Sequence, residues 1–257
     1  MKHSAAARGS LRVVGLGPGD DALITDQVRA SIAAATDAFG YFPYIERLQG
    51  LGHLQLHASD NREELDRARA ALDLAAQGRQ VLMLSSGDPG VFAMASAVFE
   101  VLEGAAPEQR QRWAAVDVEV QPGITAMLAA AARLGAPLGH DFCCINLSDN
   151  LKPAAVIERR IRLAAQADFA MAFYNPCSKS RPQGFSRALQ VLQQECEPER
   201  LICFARNVSR PDETLNVVTL ATAAPAMADM RTVVIVGNSL TRRVGPHVYT
   251  PRSYPHA

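Results

Sequence analysis

Three glycine- or proline-rich turns hold the residue types that let a ligand approach the backbone closely. Each turn follows a short apolar run, typical of a buried strand. Glycine adopts backbone angles that other residues resist, and ligands of parallel sheets lie beyond the carboxyl ends of the strands. The pattern therefore predicts a small-molecule site. The turns are Gly15–Asp20, Ser86–Pro89 and Pro122–Ala126.

The second turn also admits an ordinary structural interpretation. Asp88 fits the N-cap of a helix, and Pro89 fits its first position, ahead of a helix expected over Val91–Glu103. In that case Asp88 only caps the helix. The residues alone leave both interpretations open.

A nicotinamide dinucleotide site at the first turn is a weaker hypothesis. The dinucleotide fingerprint requires G-x-G-x-x-G at the start of a helix and an acid at the end of the second strand. Here Gly19 comes one position early, Pro18 removes a backbone donor, and Asp37 precedes the second predicted strand. A nicotinamide-dependent oxidoreductase is thus disfavoured.

Strands and helices alternate through the first half, so we expect an α/β fold with two α/β domains. The first sheet should be mainly parallel. The second should be mixed, because its last strands follow one another with little helix between them. We predict a disordered tail over residues 1–10, an N-terminal domain over 11–120 and a C-terminal domain over 121–257.

Composition excludes several classes of protein. The 26 basic and 26 acidic residues cancel, which argues against binding to nucleic acid or to a membrane surface. No apolar run is long enough to span a membrane, and the N-terminus lacks the apolar centre of a signal peptide, so we expect a cytoplasmic location. The five cysteines include no C-x-x-C, which favours neither disulfides nor a metal site.

Polar clusters follow the apolar strands of the second half. Each is compatible with turn chemistry alone. Their recurrence in both halves predicts two sheets that face one cleft. The clusters are Ser148–Asn150, Tyr174–Pro176, Arg206–Asn207 and Gly237–Ser239.

An aromatic cluster in the first half is compatible with two environments. Phe39, Tyr41, Phe42 and Tyr44 could be core residues, or one tyrosine could face a bound ligand, since Gly40 and Pro43 interrupt the segment.

The three turns together resemble the marks of the tetrapyrrole methylases, the class III methyltransferases that use S-adenosylmethionine. Finer features are similar to the branch that methylates precorrin-3B at carbon 17 in cobalamin biosynthesis. They include the segments Leu134–Phe142, Leu147–Asp149, Tyr174–Pro176, Met230–Thr241 and Tyr249–Arg252. The resemblance covers about Leu11 to Tyr254.

The resemblance implies a homodimer with S-adenosylmethionine in the interdomain cleft, no metal, and a precorrin in a trough beside it. By motif, the implied cofactor contacts are Pro18, Gly87, Asp88, Pro89, Thr125, Ala126, Leu147, Asn175, Ala205 and Val234. Several substrate carboxylates would need local cations. The substrate-binding candidates are Asp20, Lys152, Arg206 and Arg210.

The implied activity is C-methylation at carbon 17 with contraction of the macrocycle to precorrin-4, and S-adenosylhomocysteine is the other product. Methyl transfer needs mainly positioning, whereas contraction requires proton movement, for which an acid or base is plausible. We favour Asp149, with Asp88 second and Tyr41, Tyr44 and Tyr174 as weaker donors. Three alternatives stay open: substrate carboxylates that move the protons themselves, a cobalt-containing substrate, and methylation of another ring carbon.

Overall fold

The computed structural model describes residues 8–178 and 180–254, so residues 1–7 of the predicted tail lie outside the described part. The described chain divides into a first unit that ends at Thr125 and a second that begins at Ala126. The strands are β1 Ser10–Gly15, β2 Asp37–Tyr41, β3 Gln55–Ser59, β4 Gln80–Ser85, β5 Asp117–Gln121, β6 Gly135–Ala136, β7 Phe142–Asn146, β8 Ala170–Tyr174, β9 Leu201–Arg206, β10 Thr214–Thr219, β11 Thr232–Val236, β12 Arg242–Val244 and β13 His247–Tyr249. The helices are α1 Asp26–Ala34, α2 Phe42–Ile45, α3 Glu64–Ala75, α4 Met94–Glu103, α5 Pro107–Trp113, α6 Ala126–Leu134, α7 Ala154–Gln166 and α8 Gly184–Glu195.

The first unit is a five-stranded sheet in the order β3-β2-β4-β1-β5, and every pairing is parallel. β4 is apolar from Val81 to Leu84 because both of its faces are covered. Leu82 and Leu84 pack towards α1 and α2, whereas Val81 and Met83 pack towards α3, α4 and α5. The predicted parallel α/β architecture is confirmed for this unit.

The second unit holds a five-stranded mixed sheet in the order β10-β9-β11-β8-β7. β7 and β8 are parallel, and β11 runs antiparallel to both β8 and β9. Phe173, Phe185 and Phe204 contribute to the core between this sheet and helices α7 and α8. The predicted mixed sheet is confirmed. A separate three-stranded sheet, β12-β13-β6, was not anticipated.

Several boundaries differ from the sequence-based expectations. β1 begins at Ser10, inside the stretch predicted as tail. The aromatic run Phe39–Tyr44 predicts a strand, but from Phe42 onward the chain forms the short helix α2, with Pro43 in its first turn. Residues 104–115, expected to be irregular, contain α5, whose Pro107 occupies a position that favours a helix start.

The division between the units lies later than the boundary expected after residue 120. The turn that follows β5 stays with the first unit, because Gly123 packs against Gly15 and bonds to the loop after β4.

Candidate active site

The three glycine-rich turns follow β1, β4 and β5, which lie side by side in one parallel sheet. Their carboxyl ends therefore lie at a single edge, as the sequence predicts. The crossover from β1 leads to β2 on one side, and the crossover from β4 leads to β5 on the other. Ligands of open α/β sheets bind where connections diverge in this way.

The turns approach one another so closely that side chains are excluded. A Cβ atom on Gly15 would lie 2.5 Å from the carbonyl oxygen of Gly87, and one on Gly123 would lie 2.2 Å from the same oxygen. Gly17 and Gly87 occupy left-handed backbone conformations, with φ of 70° and 62°. Their backbones exchange hydrogen bonds of 3.2 and 2.9 Å. The result is a compact cradle of bare backbone.

Asp88 joins two of the turns through its carboxylate. Gly90 N–H donates to Oδ1 at 2.8 Å, and Gly123 N–H donates to Oδ2 at 3.0 Å. The predicted helix N-cap at Asp88 is therefore wrong. The actual capping contact comes from Ser85, whose Oγ accepts a hydrogen bond from Met94 N–H at the start of α4.

Helix α4 begins later than predicted because Phe92 interrupts the path into it. Phe92 has φ of 54°, a left-handed conformation that is strained for a bulky residue, and its side chain is 48% exposed. Residues Val91 to Ala93 therefore form no part of the helix.

Left-handed residues concentrate at the carboxyl edges of the sheets. Of the five such residues other than glycine in the described chain, Phe92 follows β4, Asn175 follows β8, and Asn207 and Ser209 follow β9. Strained backbone of this kind clusters at functional sites, so it supports both edges as candidates.

The carboxyl edge of the second unit is built from polar side chains. Asn175 Nδ2 donates to Asn146 Oδ1 at 3.1 Å, and Ser148 N–H donates to the same oxygen at 2.9 Å. Arg206 Nε donates to Asp229 Oδ2 at 2.8 Å. Burial alone would raise the pKa of Asp229, but hydrogen bonds led by the one from Arg206 outweigh burial and hold this pKa below its usual range.

Asp149 lies after β7 and is paired. Arg187 Nη2 donates to its Oδ2 at 2.8 Å. Lys152, in the same connection, is half-buried, and burial together with nearby Arg160 lowers its pKa. Arg210 is exposed in the turn after β9.

Other predicted contacts are less accessible. Leu147, Ala205 and Val234 are each at most 1% exposed, and Val234 lies mid-strand with its side chain in the core. This burial does not favour a side-chain contact to a ligand. Asp20 is exposed and caps a short 3-10 turn, because its Oδ1 accepts a hydrogen bond from Ala22 N–H.

Pro18, Pro89 and Thr125 lie within the three turns and are buried, whereas Ala126 is the first residue of α6. Sequence reasoning missed what fixes the start of that helix. The hydroxyl of Tyr174, at the end of β8, accepts a hydrogen bond from Met127 N–H at 2.8 Å. Tyr174, of the Tyr-Asn-Pro motif, thus supports the start of α6 at Ala126.

One of the polar turns expected at the carboxyl edge of the second sheet does not lie there. Gly237–Ser239 follows β11, which is antiparallel to β8 and β9, so this turn lies at the opposite edge of the sheet. There Ser239 Oγ donates to Asp168 Oδ2 at 2.6 Å, and Arg200 Nη1 lies 3.2 Å from Asp168 Oδ1. This edge is held by an ion-pair network.

The cradle lies at the carboxyl edge of a parallel sheet, where the ligands of open α/β folds bind, and this position fits S-adenosylmethionine. The missing side chains at Gly15 and Gly123 allow the turns to pack, because a Cβ atom there would meet the backbone of a neighbouring turn. Among the described residues no group of three or more His, Cys, Asp or Glu side chains is arranged to hold a metal. Within the same part of the chain, no helix is long and apolar enough to cross a membrane.

A family model described as tetrapyrrole (corrin/porphyrin) methylases matches residues 10–224. The chain belongs to this family. The resemblance inferred from the three turns is thereby confirmed. A methyltransferase activity follows from the membership.

Similar proteins agree with this assignment. A precorrin-3B C(17)-methyltransferase of Sinorhizobium sp is 50% identical over 254 residues, which cover 97% of this chain and 98% of that protein. The crystal structure of the methyltransferase CobJ is 61% identical with a TM-score of 0.90, and the match covers 95% of this chain and 100% of the other. A uroporphyrin-III C-methyl transferase from Thermus thermophilus, complexed with S-adenyl homocysteine, is 22% identical and has a TM-score of 0.67, with 89% and 97% covered. At that identity the likeness concerns the fold alone.

Proposed function

We propose that this protein transfers a methyl group from S-adenosylmethionine to carbon 17 of precorrin-3B, with contraction of the ring, in cobalamin biosynthesis. The 50% identity to the Sinorhizobium enzyme, over nearly the full length of both chains, supports the substrate and the position. The family membership supports the cofactor and the reaction class.

The observation that carries the proposal is the cradle of three turns, two of which are joined by Asp88. Two of its turns are linked by the pair of hydrogen bonds to the Asp88 carboxylate, and Gly15 and Gly123 leave no side chain between them. This packing fixes the turns relative to one another at the carboxyl edge of the sheet, where the ligands of open α/β folds bind. A rigid edge of this kind suits a bound cofactor.

Bound S-adenosylmethionine would supply an electrophilic methyl group. The protein's own contribution is to hold donor and acceptor in reach, an effect worth about 7–11 kcal/mol in well-oriented systems. Pro18, Gly87, Asp88, Pro89 and Thr125 would shape the cofactor pocket of the first unit. Ala126, Leu147, Asn175, Ala205 and Val234 remain predicted contacts, as does the interdomain position of the cofactor.

The substrate carboxylates would be met by cations of the second unit. Arg206 is already paired with Asp229, whereas neither Lys152 nor Arg210 forms an ion pair within the described residues. We therefore favour Lys152 and Arg210 over Arg206 as direct partners. Asp20 remains a candidate that would orient the ligand by accepting a hydrogen bond.

For ring contraction we keep Asp149 as the candidate acid or base. The hydrogen bond of 2.8 Å from Arg187 Nη2 to Asp149 Oδ2 fixes the orientation of this carboxylate. The variant Asp149→Asn should bind both ligands but accumulate a methylated, uncontracted macrocycle with a distinct absorption spectrum. Contraction at the normal rate would leave substrate carboxylates as the proton carriers.

Mass spectrometry of the product tests the function as a whole. Incubation with precorrin-3B and S-adenosylmethionine should give a product with one added methyl group and contracted-ring fragmentation. Methylation only of the cobalt-containing equivalent would shift the substrate and keep the reaction class. In calorimetry, tight binding of NAD(H) with no binding of S-adenosylmethionine would instead support the oxidoreductase.

The homodimer and the cytoplasmic location remain predictions. Light scattering after size exclusion should give twice the mass of one chain.

A further inference from the structure

A β-hairpin of the second unit is exposed along its whole tip. β12 and β13 are joined by a two-residue turn, in which Gly245 has φ of 57° and Val244 pairs with His247. Every residue from Arg242 to His247 is exposed. We call this segment the basic hairpin, because it carries Arg242 and Arg243.

The base of the basic hairpin is fixed by packing and hydrogen bonds. Val248, in β13, is fully buried and pairs with Gly135 in β6. Thr250 Oγ1 donates to the carbonyl oxygen of Pro137 at 2.6 Å and lies 2.8 Å from Thr241 Oγ1. A surface that is ordered before it meets a partner binds at a lower entropic cost. The basic hairpin is therefore suited to docking.

The two arginines of the basic hairpin have no acidic partner in their own chain. Neither Arg242 nor Arg243 forms an ion pair with any residue that the structure describes. Val244, the next residue, is 58% exposed and adds apolar surface. Two cations beside an exposed apolar side chain favour a partner surface that is both acidic and apolar.

The first unit carries such a surface on α4. Ser96, Phe99, Glu100 and Glu103 follow one another at helical spacing, so they share one face of the helix, and all four are exposed. Phe99 alone is 52% exposed. These side chains line an open groove of about 610 Å³. We call it the acidic groove.

Ion pairs do not neutralise the carboxylates of the acidic groove. Neither Glu100 nor Glu103 pairs with a cation in the described part of the chain. Glu64, on α3, adds a nearby negative charge. Partial desolvation raises the pKa of Glu64, Arg67 opposes this effect, and repulsion from Glu100 adds to it. The groove therefore favours a cationic partner.

The two units differ in net charge in the same sense as the two surfaces. The first unit, up to Thr125, contains 11 basic and 16 acidic residues, whereas the second, from Ala126, contains 15 basic and 10 acidic residues. Two copies of the chain therefore repel each other where like units meet. They attract each other where the first unit of one copy meets the second unit of the other.

We propose that the basic hairpin of one copy docks in the acidic groove of a second copy of this chain. The inference rests on the homodimer of the proposed function and names the surfaces that form it. The two arginines of the hairpin meet the two glutamates of the groove, and Val244 covers the exposed ring of Phe99. Each copy carries both surfaces, so a twofold axis forms the contact twice and closes the dimer.

Charge reversal tests the docking. Arg242→Glu with Arg243→Glu should convert the dimer to a monomer in light scattering after size exclusion, because the hairpin then repels the groove. Glu100→Arg with Glu103→Arg should do the same. All four substitutions in one chain should restore the dimer. A mixture of the two double variants should restore it too, since opposite charges then meet at both contacts.

Arg159→Glu with Arg160→Glu is the matched control. These two arginines are exposed on α7 and, like those of the hairpin, form no ion pair among the described residues. Their reversal changes the net charge by the same amount and should leave the dimer mass unchanged. Loss of the dimer in this control would show that net charge, and not the hairpin, decides association.

The outcomes separate failure of the docking from failure of the proposed function. A wild-type dimer that survives both charge reversals would overturn the docking alone, and the arginines of β12 would then only protect an edge strand from pairing. Monomers that the mixture does not restore, or a wild-type mass above that of a dimer, would also overturn it. A monomeric wild type would refute the homodimer as well, whereas methyl transfer is measured independently by mass spectrometry of the product.

Discussion

The carboxyl edges of the two five-stranded sheets differ in the groups that form them. In the first unit, the edge is made of glycine backbone, with a single carboxylate, Asp88, that ties two turns together. In the second unit, asparagine amides and ion pairs such as Arg206–Asp229 cover the edge. The contrast shows that close packing of backbone forms the first edge, whereas polar side chains form the second.

The largest effect is expected where a side chain is added to the bare edge. Gly123→Ala would place a methyl group 2.2 Å from the Gly87 carbonyl oxygen, so the turns must separate. We expect no measurable binding of S-adenosylmethionine by calorimetry, and a loss of about 1–3 kcal/mol in urea unfolding from overpacking.

Gly50→Ala is the matched control for this change. An added Cβ at Gly50 meets nothing within 4 Å. Stability should stay within about 0.5 kcal/mol of the wild type, as for most surface substitutions. Wild-type cofactor affinity in Gly123→Ala would contradict the proposal that the cradle binds S-adenosylmethionine.

A smaller effect is expected from Asp88→Asn, which keeps the shape but leaves one acceptor oxygen where two N–H groups donate. Cofactor affinity should fall about 10-fold, because hydrogen bonds to charged groups are worth about 1.5–3 kcal/mol. Asp66→Asn removes the same charge from an exposed ion pair on α3 and should change nothing. Equal affinities of the two variants for S-adenosylmethionine would show that the Asp88 carboxylate does not contribute to cofactor binding.

In the second unit, Tyr174→Phe keeps the ring and removes the hydroxyl that accepts from Met127 N–H. The helix start then loses a partner, and we expect a loss of about 1–2 kcal/mol in urea unfolding. Tyr249→Phe is the control, since the Tyr249 hydroxyl makes no hydrogen bond among the described residues. Identical stabilities would mean that water replaces the Tyr174 contact.

The smallest effect concerns pH. The Asp229 pKa is held below its usual range in the folded protein, so the bond to Arg206 contributes stability above the unfolded pKa and loses it as the pH falls below about 4. Because both side chains are partly exposed, solvent screens the pair and its contribution to stability is small. Asp229→Asn should flatten this part of the stability curve between pH 5 and about pH 3. A steeper curve in the variant would contradict the assignment.

Sequence predicted the parts of the first edge that depend on local pattern. The apolar run Val81–Leu84 and the glycines after it identify a buried strand and its turn, because both signals lie within a few residues. The sequence could not decide between the two interpretations of Asp88, because its partner Gly123 lies 35 residues away, beyond the reach of local capping rules. Phe92 in a left-handed conformation carries no sequence signal at all.

The second edge was harder to predict because strand direction decides which turns meet. Apolar runs identify β9 and β11 but not that they are antiparallel, so Gly237–Ser239 was assigned to the wrong edge. The ion pair between Asp149 and Arg187 joins residues from a loop and from α8, and only the packing of that helix brings them together.

The central claim is that the bare edge of the first unit presents a methyl donor to carbon 17 of a precorrin. The direct measurement is NMR of the product made from precorrin-3B and S-adenosylmethionine with an isotopically labelled methyl group. The account predicts one labelled methyl group, bound to carbon 17 of a contracted macrocycle. It also predicts that Gly123→Ala forms no labelled product. Label at another carbon, or full labelling by Gly123→Ala, would contradict it.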